Sequence, residues 1–215
     1  GIDPIEIIDK YGADALRFSV LSGTTMGNDI RYMPEKLEQA SNFANKIWNA
    51  SKFTLGNFAK IGENTPNFET FMMSDEIPSN LAYEDKWILS KINTLAKEIS
   101  YNLEKYDLGV ACSKIYDFIW NEFCDWYIEM VKPRLYDEES KDKDAAVWTL
   151  NKVLVNSLKL LHPIMPFITE EIFEKLYSKD ESIMISKWPQ YEEKLAFEKE
   201  EKGIEALKEI IVGIR

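Results

Sequence analysis

The sequence has very few of the residues that bind metals or form cross-links. Its 215 residues include two cysteines and a single histidine. Structural zinc sites take four Cys or His ligands, so a zinc site has too few ligands here. On one helix Cys112 and Cys124 would stand about 18 Å apart along the axis, which is too far for a disulfide. We therefore expect buried, reduced thiols and no metal.

Long apolar runs and a secretory leader are also missing. No apolar stretch approaches the ~18 residues of a membrane span. The N-terminus lacks a basic region followed by an apolar region and a cleavage site. The chain begins with Gly1 rather than Met and enters a helix-like pattern at once. These features predict a cytoplasmic protein with no membrane partner, and a piece cut from a longer chain.

Catalytic and nucleotide-binding signatures are missing as well. Gly23 and Gly27 fit neither glycine-rich phosphate motif. His162 precedes a proline and has no Ser, Cys or carboxylate at a diagnostic spacing, which favours a role at a helix end. The acids within residues 116–127 could suggest acid/base chemistry. The many aromatic residues there instead favour a bundle core, with acids at its rim and as partners for Tyr, Trp or Arg134. We expect no catalytic site in this chain.

No alternating strand pattern of useful length is present, and apolar residues instead recur at steps of three and four. Prolines open the helices predicted from Pro4, Pro34 and Pro166. The remaining predicted helices cover residues 14–21, 81–107, 108–131, 145–162 and 192–215. Residues 62–80 are predicted to be a surface loop and residues 183–185 a brief extended segment. The fold class is therefore all-α, a helix bundle.

The net charge of −11 argues at first against a nucleic-acid partner. The charge is unevenly distributed, however. Residues 1–60 contain seven basic and seven acidic side chains. The whole excess of acid, 30 acidic against 19 basic side chains, lies in residues 61–215. An RNA partner would meet the least repulsion at the N-terminal third.

The helix predicted from Pro34 to about Leu55 has a second face beside its apolar one. At ~100° per residue, its apolar side chains occupy one side. The opposite side carries polar side chains and one aromatic ring: Glu35, Gln39, Asn42, Lys46, Asn49 and Phe53. Glu35 and Phe53 are about five whole turns apart, so they lie on one line.

An exposed ring beside lysine and amides is typical of a site for single-stranded nucleic acid. Bases stack on the ring, amides read base edges and lysine contacts phosphate. Alternatively, Phe53 packs against the loop or another helix, because a bundle helix can touch neighbours on two sides. Periodicity alone leaves both interpretations open and favours packing.

Several motifs resemble class I aminoacyl-tRNA synthetases of the valine, isoleucine and leucine group. Residues 11–18 (YGADALRF) carry a motif shared across that group. Residues 27–31 (GNDIR) and 42–53 (NFANKIWNASKF) are similar to the valyl branch. So are the segments DFIW, CDWYIE and KPR within residues 117–134. Residues 162–171 (HPIMPFITEE) resemble the group's signature late in the bundle. The likeness covers nearly the whole chain.

The resemblance implies a division of the chain and a parent activity. Residues 1–33 would be the helical end of a stem-contact region, and residues 34–215 an anticodon-binding helix bundle. The parent enzyme would join valine to its tRNA with ATP and magnesium. This chain would lack the catalytic fold, the editing domain and the coiled-coil arm. We expect a monomer that binds valine tRNA, without a cofactor of its own and without DNA.

The resemblance also strengthens the RNA-binding interpretation of the polar face. Phe53 and Lys46 match positions that the family directs at anticodon bases. The residues expected to bind RNA are Glu35, Lys36, Gln39, Asn42, Lys46, Asn49 and Phe53. The family often has a basic residue where this chain has Glu35. Either the adjacent Lys36 replaces it, or Glu35 accepts a hydrogen bond from a cytosine amino group.

Two other interpretations stay open. The chain could be the same region of an isoleucyl-tRNA synthetase, which the affinities for valine and isoleucine anticodon stem-loops would distinguish. It could instead be a helical protein-interaction domain whose acidic surface meets a basic partner. A strong salt dependence of tRNA binding would favour RNA recognition, because phosphate contacts release counterions.

Overall fold

The computed structural model describes residues 3–23, 32–62, 68–176 and 182–214, and all regular structure within these ranges is helical. The α-helices are α1 (Pro4–Tyr11), α2 (Ala13–Ser22), α3 (Pro34–Gly62), α4 (Phe68–Met73), α5 (Tyr83–Glu104), α6 (Leu108–Asp117), α7 (Ile128–Tyr136), α8 (Lys143–Leu161), α9 (Pro166–Leu176) and α10 (Glu198–Ile214). A π-helical segment, Phe118–Tyr127, joins α6 to α7 without a break. Two 3₁₀ turns cover Ile183–Ile185 and Glu193–Leu195. The all-α prediction is confirmed, and the motif at 27–31 lies outside the described residues.

Local signals place the first helix where the sequence predicts it. The carboxylate of Asp3 accepts a hydrogen bond from the N–H of Ile5 at 2.9 Å, and Pro4 occupies the first helical position. Gly12 ends the helix with a φ of 89°, a conformation that glycine adopts without strain. Its N–H donates to the carbonyl of Ile8 at 2.8 Å, which satisfies the end of the helix.

The segment predicted to be a surface loop contains a helix. α3 continues past Leu55 to Gly62, and α4 lies inside residues 62–80. Met72 is buried and Phe71 packs against the core. Burial of these side chains outweighs the turn-forming residues around them, so the prediction of a loop throughout this segment is wrong.

Two further predictions of local structure are wrong. Residues 183–185 form a 3₁₀ turn rather than an extended segment, and the carboxylate of Glu170 holds this turn by accepting from the N–H of Ile183 at 3.1 Å. The helix predicted to end before Pro133 runs through it to the end of α7. A proline there removes one backbone hydrogen bond, but Leu135 just beyond it is buried in the core.

The core is centred on α8, whose side chains are buried on nearly every side. Fourteen of its 19 residues are buried, although the helix also carries Lys152 and Lys159. The largest buried side chains come from four elements of the bundle: Phe43 of α3, Trp87 of α5, Tyr127 of the π-helical segment and Trp148 of α8. These helices share one hydrophobic cluster. The division predicted between residues 33 and 34 stays a prediction.

α10 packs on α5 through polar contacts as much as apolar ones. The indole N–H of Trp87 donates to Glu205 at 3.1 Å, and the hydroxyl of Ser90 donates to Glu201 at 2.7 Å. Of the apolar side chains Ile204, Leu207, Ile211 and Ile214 on this helix, only Ile204 is buried, and Leu207 is exposed.

Both cysteines are free and buried, as predicted. Burial raises the pKa of the Cys112 and Cys124 thiols to about 12, because a thiolate is poorly solvated in an apolar interior. The thiols therefore stay protonated. Separately, none of the helices in the described ranges combines the length and apolar character needed to cross a bilayer.

Candidate nucleic-acid interface

The face predicted on α3 is an open polar strip with one buried margin. Four of its side chains are exposed: Glu35, Gln39, Asn42 and Asn49. The other three predicted RNA-binding residues, Lys36, Lys46 and Phe53, are half-buried. The strip therefore borders solvent along one edge and the neighbouring helices along the other.

Phe53 does not point directly away from the core. Its ring is half-buried and packs against the hydrophobic cluster, while its carbonyl accepts a hydrogen bond from the side chain of Asn57 at 2.8 Å. The reason is that α3 contacts both α8 and the π-helical segment, so it has neighbours on two sides. The packing interpretation is correct for part of the ring, and its partial exposure leaves a role in RNA stacking as a prediction.

Lys46 is held against the π-helical segment. Its Nζ lies 2.6 Å from Oδ1 of Asp125 and 3.9 Å from the ring centroid of Trp120. The first contact is an ion pair, and the second is a cation–π contact. The lysine is thus shared between a carboxylate and an aromatic face rather than extended into solvent.

Trp120 is the outer member of a row of four aromatic rings. It stacks on Tyr116 with centroids 5.4 Å apart and an interplanar angle of 16°. Tyr116 contacts Phe43 at 4.8 Å, and Phe43 contacts Phe18 at 5.2 Å. The row runs from the core to the surface, since Phe18 and Phe43 are buried while Tyr116 and Trp120 are half-buried.

Sequence reasoning missed Tyr116 and Trp120 as possible site residues. The aromatic density of residues 116–127 was the available signal, and it indicated a core. That is correct for Phe118, Phe123 and Tyr127, which are buried. Periodicity could not show that Tyr116 of α6 and Trp120 lie beside α3, because it does not tell which helices are neighbours. For Trp120 the π-helical segment also departs from the α-helical repeat.

A small groove lies at the N-terminal end of the strip. Its volume is about 180 Å³, and it is lined by Phe18, Ser22, Lys36, Gln39, Ser113 and Tyr116. The lining thus combines an ammonium, an amide and three hydroxyl groups with two aromatic rings. Such a groove could hold a flat polar ring more readily than a larger ligand, for which pockets are usually ~300–1,000 Å³.

The charge around the strip is balanced rather than basic. Lys36, Lys46 and the exposed Lys52 are the basic side chains of this part of α3, while Glu35 and Glu38 are acidic. Lysine contacts with phosphate would therefore be few. Across the described residues, no three His, Cys, Asp or Glu side chains converge as metal ligands would.

The first and last motifs lie against each other at the junction of α8 and α9. The guanidinium of Arg17 donates to the carbonyls of Ile164 and Pro163, both at 3.0 Å. The carboxylate of Asp14 accepts from the N–H groups of Phe167 and Ile168 at 3.3 and 2.7 Å. An acidic side chain on α2 therefore caps the N-terminus of α9.

His162 belongs to the same junction and takes a structural role, as predicted. It ends α8, and its Nδ1 lies 2.8 Å from the hydroxyl of Thr169. Burial lowers the pKa of His162, and the nearby Glu170 and Asp14 only partly offset this. Burial raises the pKa of Asp14. The hydrogen bonds that its carboxylate accepts from the backbone lower the pKa, but by less.

The middle motif ends in a second cluster, built around Arg134. Its guanidinium contacts Glu84 at 2.7 Å, and Asp85 and Asp142 at 2.9 Å each. The hydroxyl of Tyr127 also donates to Asp85, at 2.7 Å. Arg134 and a tyrosine do take acidic partners, as predicted. Those acids come from α5 and from the turn before α8 rather than from residues 116–127.

Comparison with known proteins agrees with the helical architecture and with the motifs. Residues 85–215 match the family described as the anticodon-binding domain of tRNA ligase. The chain is 50% identical over 216 residues to the valine–tRNA ligase of Clostridium acetobutylicum, covering 100% of this chain and 23% of that protein. It is 44% identical over 216 residues to the valine–tRNA ligase of Thermotoga maritima, with coverage of 100% and 23%. The chain thus spans about a quarter of the length of these curated relatives.

Two solved structures have the same fold. The LeuRS of Agrobacterium radiobacter K84, in a ternary complex with tRNA and LeuAMS, superposes with a TM-score of 0.67 and 18% identity, covering 91% of this chain and 21% of that one. The apo methionyl-tRNA synthetase of Mycobacterium tuberculosis gives a TM-score of 0.62 and 20% identity, with coverage of 80% and 34%. The predicted resemblance to the anticodon-binding region of valyl-tRNA synthetases is confirmed. With more than half of its residues matched, this chain belongs to the family of anticodon-binding domains of tRNA ligases.

Proposed function

We propose that this region recognises the anticodon of valine tRNA, as part of an enzyme that joins valine to that tRNA. The names of its relatives support valine as the amino acid. The structural observation that carries the proposal is the open polar strip of α3. Its exposed side chains from Glu35 to Asn49 extend over about four helical turns along the solvent-facing side of the helix.

The strip suits the loop of an RNA hairpin, whose bases are unpaired. Its amides, Gln39, Asn42 and Asn49, can donate to and accept from base edges. Glu35 can accept from the amino group of a cytosine. Lys36 is placed to contact phosphate, and the exposed part of the Phe53 ring offers a stacking surface.

The parent activity belongs to the same proposal. We expect ATP and magnesium to bind elsewhere in the parent enzyme, and no cofactor to bind in this region. A cytoplasmic monomer with tRNA as its nucleic-acid partner, and no DNA, is the expected form. The relatives' names support the reaction, and the helical region would contribute tRNA selection rather than chemistry.

The test is binding of labelled anticodon stem-loops at low salt. The wild-type chain should prefer the valine loop to the isoleucine loop, and Phe53→Ala should lose about 1–3 kcal/mol of binding free energy if a base stacks on the ring. Phe197→Ala is the matched control, because Phe197 is also half-buried and packed on the core but lies just before α10.

Each outcome is decisive for one part of the proposal. Preference for the valine loop that is lost in Phe53→Ala, and kept in Phe197→Ala, would support reading of the anticodon through α3. Equal binding of both loops by the wild-type chain would overturn the proposed specificity. A salt-independent affinity would contradict phosphate contact, because each released counterion adds to the salt dependence.

A further inference from the structure

The face of Trp120 that points towards α3 is covered by Lys46. The ammonium group stands 3.9 Å from the ring centroid, and Tyr116 stacks on the same indole with centroids 5.4 Å apart. Trp120 is nevertheless half-buried rather than buried. It thus sits at the surface with its stacking area occupied by a side chain of the polar strip.

The cover is held in place by contacts that are easily exchanged. Asp125 is 51% exposed and Lys46 is 23% exposed in their side chains, with 2.6 Å between Nζ and Oδ1. An ion pair at such a surface contributes little to stability, because water and salt compete with it. A phosphate oxygen can replace the carboxylate, since both are anionic acceptors for an ammonium group.

We propose that Trp120 is a second base-stacking residue and that Lys46 is its removable cover. The inference rests on the proposed anticodon recognition and adds a residue to it. When the RNA loop arrives, the ammonium of Lys46 exchanges the carboxylate of Asp125 for a phosphate, and the uncovered indole takes an unpaired base. Asp125 is then a positioning residue that holds Lys46 in the covering position until RNA displaces it.

The π-helical segment explains why these groups meet. Both Trp120 and Asp125 lie in it, opposite the middle of α3. Segments of π-helix are rare and frequently occur at functional sites. The aromatic row behind Trp120 anchors the ring through Tyr116, Phe43 and the core. A base stacked there would rest on a fixed surface rather than on a mobile side chain.

The direct test uses a valine anticodon stem-loop with 2-aminopurine at each loop position in turn. The emission of this base falls when it stacks on an aromatic ring. The wild-type chain should quench one position on binding. Trp120→Leu should abolish that quenching and weaken binding about tenfold, and Trp120→Phe should restore part of both.

A second variant tests the cover without touching the core. Asp125→Asn should bind the loop about two- to fivefold more tightly, because the lysine no longer has to leave a carboxylate. Asp117→Asn is the control, since Asp117 is exposed on the same continuous helix. This substitution also removes one negative charge, but it does not free Lys46. In the Lys46→Met background the gain from Asp125→Asn should vanish.

The two proposals fail in distinguishable ways. If the wild-type chain binds the valine loop no better than a scrambled loop, anticodon recognition is wrong and the role of Trp120 is wrong with it. If the valine loop binds specifically but quenching persists in Trp120→Leu, only the role of Trp120 is overturned. Equal gains from Asp125→Asn and Asp117→Asn would reduce the effect to net charge and overturn the cover.

Discussion

Two of the charged contacts on the continuous helix from Leu108 to Tyr136 differ greatly in character. Near its C-terminal end, Arg134 is 15% exposed and is bound by three carboxylates, one of which, Asp85, is fully buried. In its π-helical part, Asp125 is half exposed, and within the described part of the chain its ion-pair partner is Lys46. Both sites belong to motifs shared with the synthetases, so the motifs alone do not separate them.

The two sites differ in how many hydrogen bonds their carboxylates accept. Asp85 accepts from the hydroxyl of Tyr127, from Arg134 and from the N–H of Ala82. Burial, helped by the nearby Asp85 carboxylate, raises the pKa of Tyr127 well above its usual value, so its hydroxyl keeps the proton that it donates. Both oxygens of the buried Asp85 carboxylate accept hydrogen bonds, and removing one member of a buried ion pair is strongly destabilising. An exposed charge with one partner is free to exchange it, which is what a binding site requires.

The largest expected effect comes from removing the Asp85 carboxylate from the buried site. Asp85→Ala leaves the guanidinium of Arg134 partly uncompensated, and we expect the free energy of unfolding to fall by about 3–5 kcal/mol. Asp125→Ala should cost at most about 1 kcal/mol. Urea denaturation of both variants measures the contrast, and similar losses would remove the distinction between the two sites.

A smaller loss is expected at the junction of α2 with α9. Asp14→Ala removes the acceptor for two N–H groups at the start of α9 and should lower the free energy of unfolding by about 1–2 kcal/mol. Asp14→Asn should recover most of this, because asparagine is also a good acceptor at a helix N-terminus. Denaturation curves in which alanine and asparagine behave alike would show that the capping bonds contribute little.

The open strip should respond in binding and not in stability. Gln39→Glu places a negative charge beside the RNA and should weaken the valine loop about fivefold at low salt, with unfolding changed by less than about 0.5 kcal/mol. Gln190→Glu is the same change at another exposed glutamine, away from α3, and should leave binding unchanged. Loss of binding in both variants would locate the RNA elsewhere.

The smallest effect concerns pH. Because burial lowers the pKa of His162, the unfolded chain takes up this proton more readily than the folded one. The free energy of unfolding should therefore fall as pH drops below about 6.5 towards the folded pKa. His162→Gln should remove this part of the dependence of the free energy of unfolding on pH. Denaturation at pH 5, 6 and 7 measures the difference, and NMR of the single histidine reports its pKa directly. Identical slopes would contradict the assignment.

The sequence predicted those features of the fold that depend on local signals. Pro4, Pro34 and Pro166 begin helices as expected, because proline fixes the geometry of the first turn. Pro133 misled the prediction, since the burial of Leu135 beyond it outweighs the lost hydrogen bond. α4 was not predicted for the same reason, because burial in the core outweighs the local preference of turn-forming residues in a short segment.

The candidate site was predictable in part. The exposed positions of α3 follow from its 3.6-residue period, and Gln39, Asn42 and Asn49 are exposed as that period predicts. The burial of Phe53, and the meeting of Lys46 with Trp120 and Asp125, depend on which helix lies beside α3. The periodicity of α3 cannot supply that information, because Lys46 and Asp125 are separated by 79 residues in the chain.

The junction of α2 with α8 and α9 has a consequence for folding during synthesis on the ribosome. Asp14 and Arg17 bond to groups 146–154 residues later in the chain. At about 5–20 residues per second, roughly 8–30 s separate the synthesis of these two parts. During that interval Arg17 and the carboxylate of Asp14 have no helix ends to cap. The N-terminal helices therefore cannot complete their docking before α9 has emerged.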